Sequence, residues 1–155
     1  MPAILEDPSA STRGIERQFA TFYLGDMLFG VDISSVQEIN RQVDITPVPH
    51  APKHVRGVIN LRGEVATVID LRTVLGLPPS EVGRDTRNLI VHSQGEAIGL
   101  WVDRISDILT VKVDDICTPP ANVDGIDGKF FQGVHAMKDN IVVLLDVEAV
   151  LADQD

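Results

Sequence analysis

Short β-prone runs, each closed by a turn signal, recur along the whole chain and restrict it to an all-β architecture. The first two runs, 19–24 and 28–33, flank Gly25-Asp26, a pattern typical of a hairpin. About nine or ten such strands are spaced by turns at intervals of roughly eight to twelve residues, which predicts a barrel or sandwich. Because closure removes exposed edges, we predict two small barrels with short helices rather than one open sheet.

Two stretches lack this pattern and suggest the domain organisation. Residues 1–16 are rich in proline, serine and glycine, and we predict that they form a disordered tail. Residues 17–153 are then a single domain made of two barrel subdomains. The polar, proline-containing segment 78–86 is the best candidate for the boundary between the subdomains.

The composition excludes several functional classes. Lys and Arg number 13 and Asp and Glu number 23, so the net charge of −10 repels nucleic acid. The single cysteine excludes an intramolecular disulfide and a zinc site built from cysteines. The sequence shows neither a signal peptide nor an apolar run that spans a bilayer, so we predict a cytoplasmic protein without direct membrane insertion.

No set of residues predicts an active site, a metal site or a cofactor site. His50 and His54 have helical metal-ligand spacing, but Pro49 and Pro52 disfavour a regular helix there, so both are interpreted as surface histidines. Cys117 has no neighbouring base that would activate it as a nucleophile. The aspartates that follow apolar strands are better explained as caps and turn formers; they are Asp70, Asp103, Asp107 and Asp146.

Arg62 is the polar residue whose position is most informative. It alternates with apolar residues at the end of a predicted strand, just before Gly63. An arginine there suits a fork of hydrogen bonds to a carboxylate or to backbone carbonyls. Glu38, on a short helix that Asp32 or Ser34 would cap, is the predicted partner. The alternative is an ordinary surface salt bridge worth less than about 1 kcal/mol.

Four segments, in order, resemble the CheW family. RGVINLRG at 56–63, followed by VIDLR at 68–72, closely resembles the family signature. VQEI at 36–39 is similar to the first helix of the family, and GLWVDRI at 99–105 to its central strand and turn. The segment from 132 to 148 resembles its closing hairpin and helix. The resemblance covers about residues 18–152, nearly the whole chain.

This resemblance implies a non-enzymatic adaptor of two five-stranded barrels, related to SH3-like and OB-like folds. Family members are recruited to receptor arrays, where they bind the cytoplasmic tips of chemoreceptors and the regulatory domain of the histidine kinase CheA. The receptor-binding groove would contain Val36, Glu38, Gly57, Arg62, Gly99 and Ile108. Kinase contacts would involve Ile33 and, separately, Pro119, Pro120, Ala121 and Asn122.

Three other functions remain open at this point. An enzyme would need a convergent polar site, and an OB-like nucleic-acid binder would need a basic surface. The third alternative lies within the family: an adaptor of a chemosensory system that controls pili, gliding or second-messenger output. A chain of 155 residues has no room for a kinase core, which favours a stand-alone adaptor.

Overall fold

The computed structural model describes residues 14–41 and 44–152, and it confirms the predicted all-β class. Most strands belong to two five-stranded sheets. The middle sheet consists of β3 (Val36–Asn40), β4 (Val55–Leu61), β5 (Glu64–Asp70), β6 (Arg87–Ser93) and β7 (Glu96–Val102). The outer sheet consists of β1 (Glu16–Leu24), β2 (Met27–Asp32), β8 (Arg104–Lys112), β11 (Phe131–Ala136) and β12 (Ile141–Leu145). The remaining elements are β9 (Asn122–Val123), β10 (Ile126–Asp127), α1 (Leu71–Leu75), α2 (Val147–Ala152) and three 3-10 turns, Ile33–Ser35, Val113–Asp115 and Gly128–Phe130.

The chain crosses between the sheets, so each sheet is built from both halves of the sequence. The β1–β2 hairpin pairs with β8 on one side and, in parallel, with β12 on the other. The β6–β7 hairpin pairs in the same way with β3 and, in parallel, with β5. The segment 78–86 lies between β5 and β6, which belong to one sheet, so it does not divide the sheets as predicted. The crossings occur instead at Ile33–Ser35 and at Asp103.

The two halves of the chain are structural repeats. Elements β1 to β5 and α1 correspond in order to β6, β7, β8, β11, β12 and α2, and replacing each strand by its counterpart reproduces the same sheet order. Residues 56–75 align with 132–151 without a gap. Even the register is shared, because Val68 faces Gly99 in the middle sheet and Leu144 faces Gly30 in the outer sheet.

Each sheet is curled so far that its two edges approach one another. In each sheet, a residue that follows one edge strand pairs with a residue of the other edge strand through an isolated β-bridge. In the middle sheet, Thr46 and Val58 exchange two backbone hydrogen bonds of 2.9 Å. In the outer sheet, Cys117 and Val134 exchange bonds of 2.8 and 3.0 Å. The predicted barrels are therefore strongly curled sheets with one bridging residue pair at the seam.

Three hydrophobic clusters fill this architecture. The largest lies between the sheets and includes both α-helices, with side chains such as Phe22, Phe29, Leu89 and Leu100 that are no more than 1% exposed. A second cluster lies inside the middle sheet and a third inside the outer sheet. Because the largest cluster draws on both sheets, the sheets are packed as one unit.

The predicted tail ends earlier than expected. Residues 1–13 lie outside the described residues, but Glu16 already begins β1 and pairs with Lys112 of β8. The carbonyl of Ile15 also accepts a 2.9 Å hydrogen bond from the Val113 amide. The last residues of the predicted tail therefore belong to the outer sheet, because β8 is long enough to pair with them.

An ion pair between Arg72 and Asp103 stabilises the second crossing, where the chain passes from β7 to β8. Arg72 Nε of α1 donates a 3.0 Å hydrogen bond to Asp103 Oδ1, and the Gly25 amide donates a 2.7 Å bond to Oδ2. Burial raises the pKa of the Asp103 carboxyl, but the hydrogen bonds from Arg72 and Gly25 and the charges of Arg72 and Arg104 outweigh it. Its pKa therefore lies below the ordinary value of 3.8.

Replacement of this arginine is expected to change the acid stability of the protein. A carboxyl whose folded pKa is depressed contributes stability above its unfolded pKa, and this is lost as the pH falls through the folded value. Arg72→Met should therefore destabilise the protein at neutral pH, and the deficit should shrink below about pH 4. Urea unfolding of wild type and variant at several pH values measures the difference. Arg84→Met, in an exposed loop, is the control; a deficit independent of pH would contradict this role of the ion pair.

Gly57 is expected to tolerate no side chain, because the backbone at Thr46, which bridges the two edges of the middle sheet, passes directly over it. A Cβ atom there would lie 2.2 Å from the Thr46 carbonyl oxygen, and the φ of +147° is itself unfavourable for other residues. Gly57→Ala should lower the free energy of unfolding by about 3 kcal/mol or more. Gly83→Ala, where a Cβ meets open space, is the matched control in the same denaturation assay. A loss below about 1 kcal/mol at Gly57 would show that the seam moves aside freely.

Candidate functional site

The Arg62–Glu38 pair lies where the two edges of the middle sheet approach one another. Arg62 and Gly63 form the β4–β5 turn with φ values of 51° and 88°, and Asn60 Oδ1 accepts a 3.0 Å hydrogen bond from the Gly63 amide. Arg62 Nη2 donates to Glu38 Oε2 on β3, at the opposite edge of the sheet. The predicted partner is therefore confirmed, and the contact shows how far the sheet curls.

The geometry of this pair corrects one part of the prediction. The bond uses a single guanidinium nitrogen, so it is an ion pair and not the predicted fork. The Arg62 side chain is 70% exposed, against 22% for Glu38. An exposed pair of this kind contributes at most about 1 kcal/mol to stability. Most of the guanidinium surface remains available for another molecule.

Glu38 lies on a strand and not on the predicted helix. The only helical turn here is the 3-10 turn Ile33–Ser35, capped by Asp32, whose Oδ1 accepts a 2.9 Å bond from the Ser34 amide. After it, Val36–Asn40 pairs with β6. The edge of β6 pairs with this segment at Val36 and, after a bulge, from Glu38 to Asn40, and this tertiary pairing outweighs the local helical pattern.

Two other predicted groove residues lie in the same sheet but are buried. A single row across all five strands runs through Glu38, Ile90, Gly99, Val68 and Gly57. A Cβ at Gly99 would meet Ile90, Asn88 and Val68 at 3.3–3.4 Å. Gly57 and Gly99 therefore let the sheet curl tightly beneath Glu38, and neither offers a side chain to a ligand.

The remaining predicted groove residues lie on two sheets. Val36 is half-buried at the start of β3, in the middle sheet. Ile108 lies on β8 of the outer sheet and is 49% exposed. The structure thus joins Arg62 to Glu38 directly and places Ile108 on the other sheet.

The predicted kinase contacts lie on two separate elements. Ile33 is 37% exposed at the first crossing between the sheets. The loop from Pro119 to Asn122 is mainly exposed and is held in place by backbone bonds: the Ala121 carbonyl accepts a 2.7 Å bond from the Gly128 amide. Asn122 Oδ1 accepts a 3.0 Å bond from the Gly125 amide. Both elements are ordered and accessible.

Two features near the site were missed at the level of sequence. Arg56, the first residue of the signature, stacks its guanidinium 4.5 Å from the Trp101 ring and donates a 3.1 Å bond to Asp70. An open cavity of about 410 Å³ also lies at the start of β3. Its walls are Ser34, Ser35, Val36, Gln37, Glu64 and His92. The internal repeat is the sequence signal that could have indicated this cavity.

Within residues 14–41 and 44–152, no group of three or more His, Cys, Asp or Glu residues is placed to hold a metal ion. In the same part of the chain, no helix has the length and apolarity needed to cross a membrane.

Comparison with known proteins identifies the family. The family model of the CheW-like domain matches residues 18–155. The chain belongs to the CheW family. The chemotaxis protein CheW of Rhizobium meliloti is 36% identical over 141 residues, which cover 90% of each chain. The probable chemotaxis protein CheW of Rhizobium etli is 34% identical over the same length and coverage.

A solved structure agrees with this assignment. The crystal structure of the scaffolding protein TtCheW from Thermoanaerobacter tengcongensis matches with a TM-score of 0.81 and 30% identity, over 89% of each chain. The two curled sheets described above are therefore those of the CheW fold. As a CheW-family member, this chain has the role of an adaptor or scaffold in chemotaxis signalling.

We expect Arg62→Asn to leave stability unchanged or raise it slightly. Asn accepts the left-handed conformation of this turn position more readily than Arg, which offsets the lost ion pair. Gln94, also at φ 51° before a glycine in the β6–β7 turn, provides the matched control Gln94→Asn. Urea denaturation of both variants separates the turn effect from the ion-pair effect. A loss more than about 2 kcal/mol greater for Arg62→Asn would mean that the ion pair holds the sheet together.

Proposed function

We propose that this CheW-family chain couples chemoreceptors to the histidine kinase CheA without catalysing a reaction. It binds the cytoplasmic receptor tips around Arg62 and Glu38, and it binds the kinase regulatory domain through Ile33 and the loop 119–122. It acts in the cytoplasm and is recruited to membrane receptor arrays. Names of similar proteins support the chemotaxis role, and the geometry of Arg62 supports the position of the receptor site.

The observation that carries this proposal is an exposed arginine in an unfavourable backbone conformation. Arg62 has a φ of 51°, where Asn or Gly would be less strained, and its side chain adds little to the stability of the isolated fold. Gln94 adopts the same φ, so what distinguishes Arg62 is the exposed guanidinium beside Glu38. The guanidinium retains free N–H groups that suit a carboxylate or a helix C-terminus of a partner.

The rest of the middle sheet supports this use. The Glu38 carboxylate limits the positions that Arg62 can adopt, so less rotamer freedom is lost on binding. The buried glycines Gly57 and Gly99 keep the sheet curled, and this curl brings the arginine to Glu38. Recognition by a preformed, rigid surface needs no catalytic group, which is consistent with an adaptor.

The proposal is tested by two titrations with the same variant, Arg62→Asn, which keeps the turn intact. Loss of a charge-assisted contact that becomes buried in the complex costs about 1.5–3 kcal/mol. The affinity for a receptor-tip fragment should therefore fall tenfold or more, while that for the CheA regulatory domain should change little. Arg62→Lys should also lose most of the affinity, because an ammonium cannot reproduce the planar set of N–H donors of a guanidinium.

Lys138→Asn is the matched control, because Lys138 occupies the equivalent turn position in the outer sheet. It should alter neither titration. Equal losses with both partners, together with a lower melting temperature, would show that Arg62 serves only the fold. Unchanged receptor binding by Arg62→Asn would refute the receptor site.

A further inference from the structure

The open cavity at the start of β3 differs from its counterpart in the other half of the chain. Aligned through the repeat, Ser35 corresponds to Arg104 and His92 to Tyr23. The pairing of neighbouring residues supports this alignment, because Val36 faces Val91 in the middle sheet just as Ile105 faces Phe22 in the outer sheet. The two regions can therefore be compared position by position.

In the outer sheet the equivalent space is occupied by an arginine of the chain itself. The Arg104 guanidinium carbon lies 3.8 Å from the centre of the Tyr23 ring, so the planar group stacks on the aromatic face. The Asp103 carboxylate beside it feels the Arg104 charge, which helps to lower its pKa. The fold thus holds a guanidinium on a flat ring, near a carboxylate, at this position.

In the middle sheet a flat ring occupies the equivalent position, and the cavity walls include no arginine. The carboxylate comes from a different position, because Ser34 corresponds to Asp103 and Glu64 corresponds to Asn140. His92 supplies a flat imidazole, Glu64 supplies a carboxylate, and Ser35 is too short to fill the space of about 410 Å³. His92 and Glu64 are both exposed. The cavity therefore offers a flat ring and a carboxylate, the two kinds of group that lie near Arg104 in the other half.

We propose that this cavity accepts the side chain of an arginine that projects from the receptor tip. The guanidinium stacks on His92 and pairs with Glu64, as Arg104 stacks on Tyr23 in the outer sheet. The planar cation fits this combination better than an ammonium, which stacks poorly. The net charge of −10 also favours a cationic group at the interface.

The choice of the receptor as the partner rests on the proposed function. Val36, a member of the proposed receptor site, is also a wall of the cavity. Glu64 begins β5, directly after the Arg62–Gly63 turn. The cavity walls thus include residues within two positions of both Glu38 and Arg62, so one partner can cover the cavity and the ion pair.

The decisive variant fills the cavity with the chain's own arginine. Ser35→Arg combined with His92→Tyr copies the Arg104–Tyr23 pair into the middle sheet. Receptor-tip affinity should fall tenfold or more, whereas the melting temperature should stay close to wild type. Ser80→Arg in the exposed loop adds the same charge elsewhere and should leave receptor binding nearly unchanged. Full receptor affinity of the filled variant would overturn the proposal.

A second measurement examines the cavity without the receptor. Methylguanidinium is titrated into the full chain at constant ionic strength while the imidazole resonances are followed by NMR. Saturable shifts at His92, absent at the exposed His50 and much weaker with methylammonium, are expected. Glu64→Gln and the single variant Ser35→Arg, which keeps His92, should each abolish them. Equal responses to both cations, or no response at His92, would overturn the guanidinium site.

The two measurements separate this inference from the proposed function. If the wild-type chain fails to bind receptor tips, the proposed function fails, and saturation by methylguanidinium alone decides whether the cavity is a guanidinium site. If the receptor binds and Glu64→Gln weakens it tenfold while Glu96→Gln does not, the arginine contact is supported. Glu96 is exposed at the start of β7 and is not a wall of the cavity.

Discussion

The exchange of strands between the two halves of the chain is the constraint on which the rest of the structure depends. Each hairpin completes its hydrogen-bond ladder only on strands supplied by the other half. Because unpaired backbone groups in a buried strand are costly, neither sheet is stable without both halves. The shared hydrophobic cluster follows from this arrangement, since the crossings bring the two sheets into contact.

Curling of the middle sheet converts this scaffold into a recognition surface. The turn after β4 reaches β3 at the opposite edge, and so places Arg62 beside Glu38 although the two are 24 residues apart. Close backbone approach at Gly57 permits the curl. The same curl in the outer sheet brings Cys117 to Val134, but there the chain occupies its own cation site with Arg104. The halves thus share one strand order, and they differ in side chains and in insertions such as the β9–β10 hairpin.

Alternating patterns were sufficient to predict the all-β class, because strand periodicity and turn chemistry are local. They also placed Arg62 at the end of a strand, but its partner Glu38 was expected on a helix, and the contact forms only because the sheet curls. Three features were not predictable in this way. The segment 36–39 became a strand because β6 offered it a partner from the other half. The composition break at 78–86 marks a surface loop, whereas the true crossings are a single turn and one residue, Asp103. The repeat was obscured because insertions such as the β9–β10 hairpin shift its spacing.

The exposed loop between α1 and β6 acquires an unexpected role from the exchange. It is the covalent tether between two halves that already hold one another through both sheets. Its contribution is therefore mainly to raise the effective concentration of each half for the other, and its exact sequence matters little. A chain cut within 79–85 would persist as a non-covalent pair of fragments. Its assembly, unlike the folding of the intact protein, would depend on dilution.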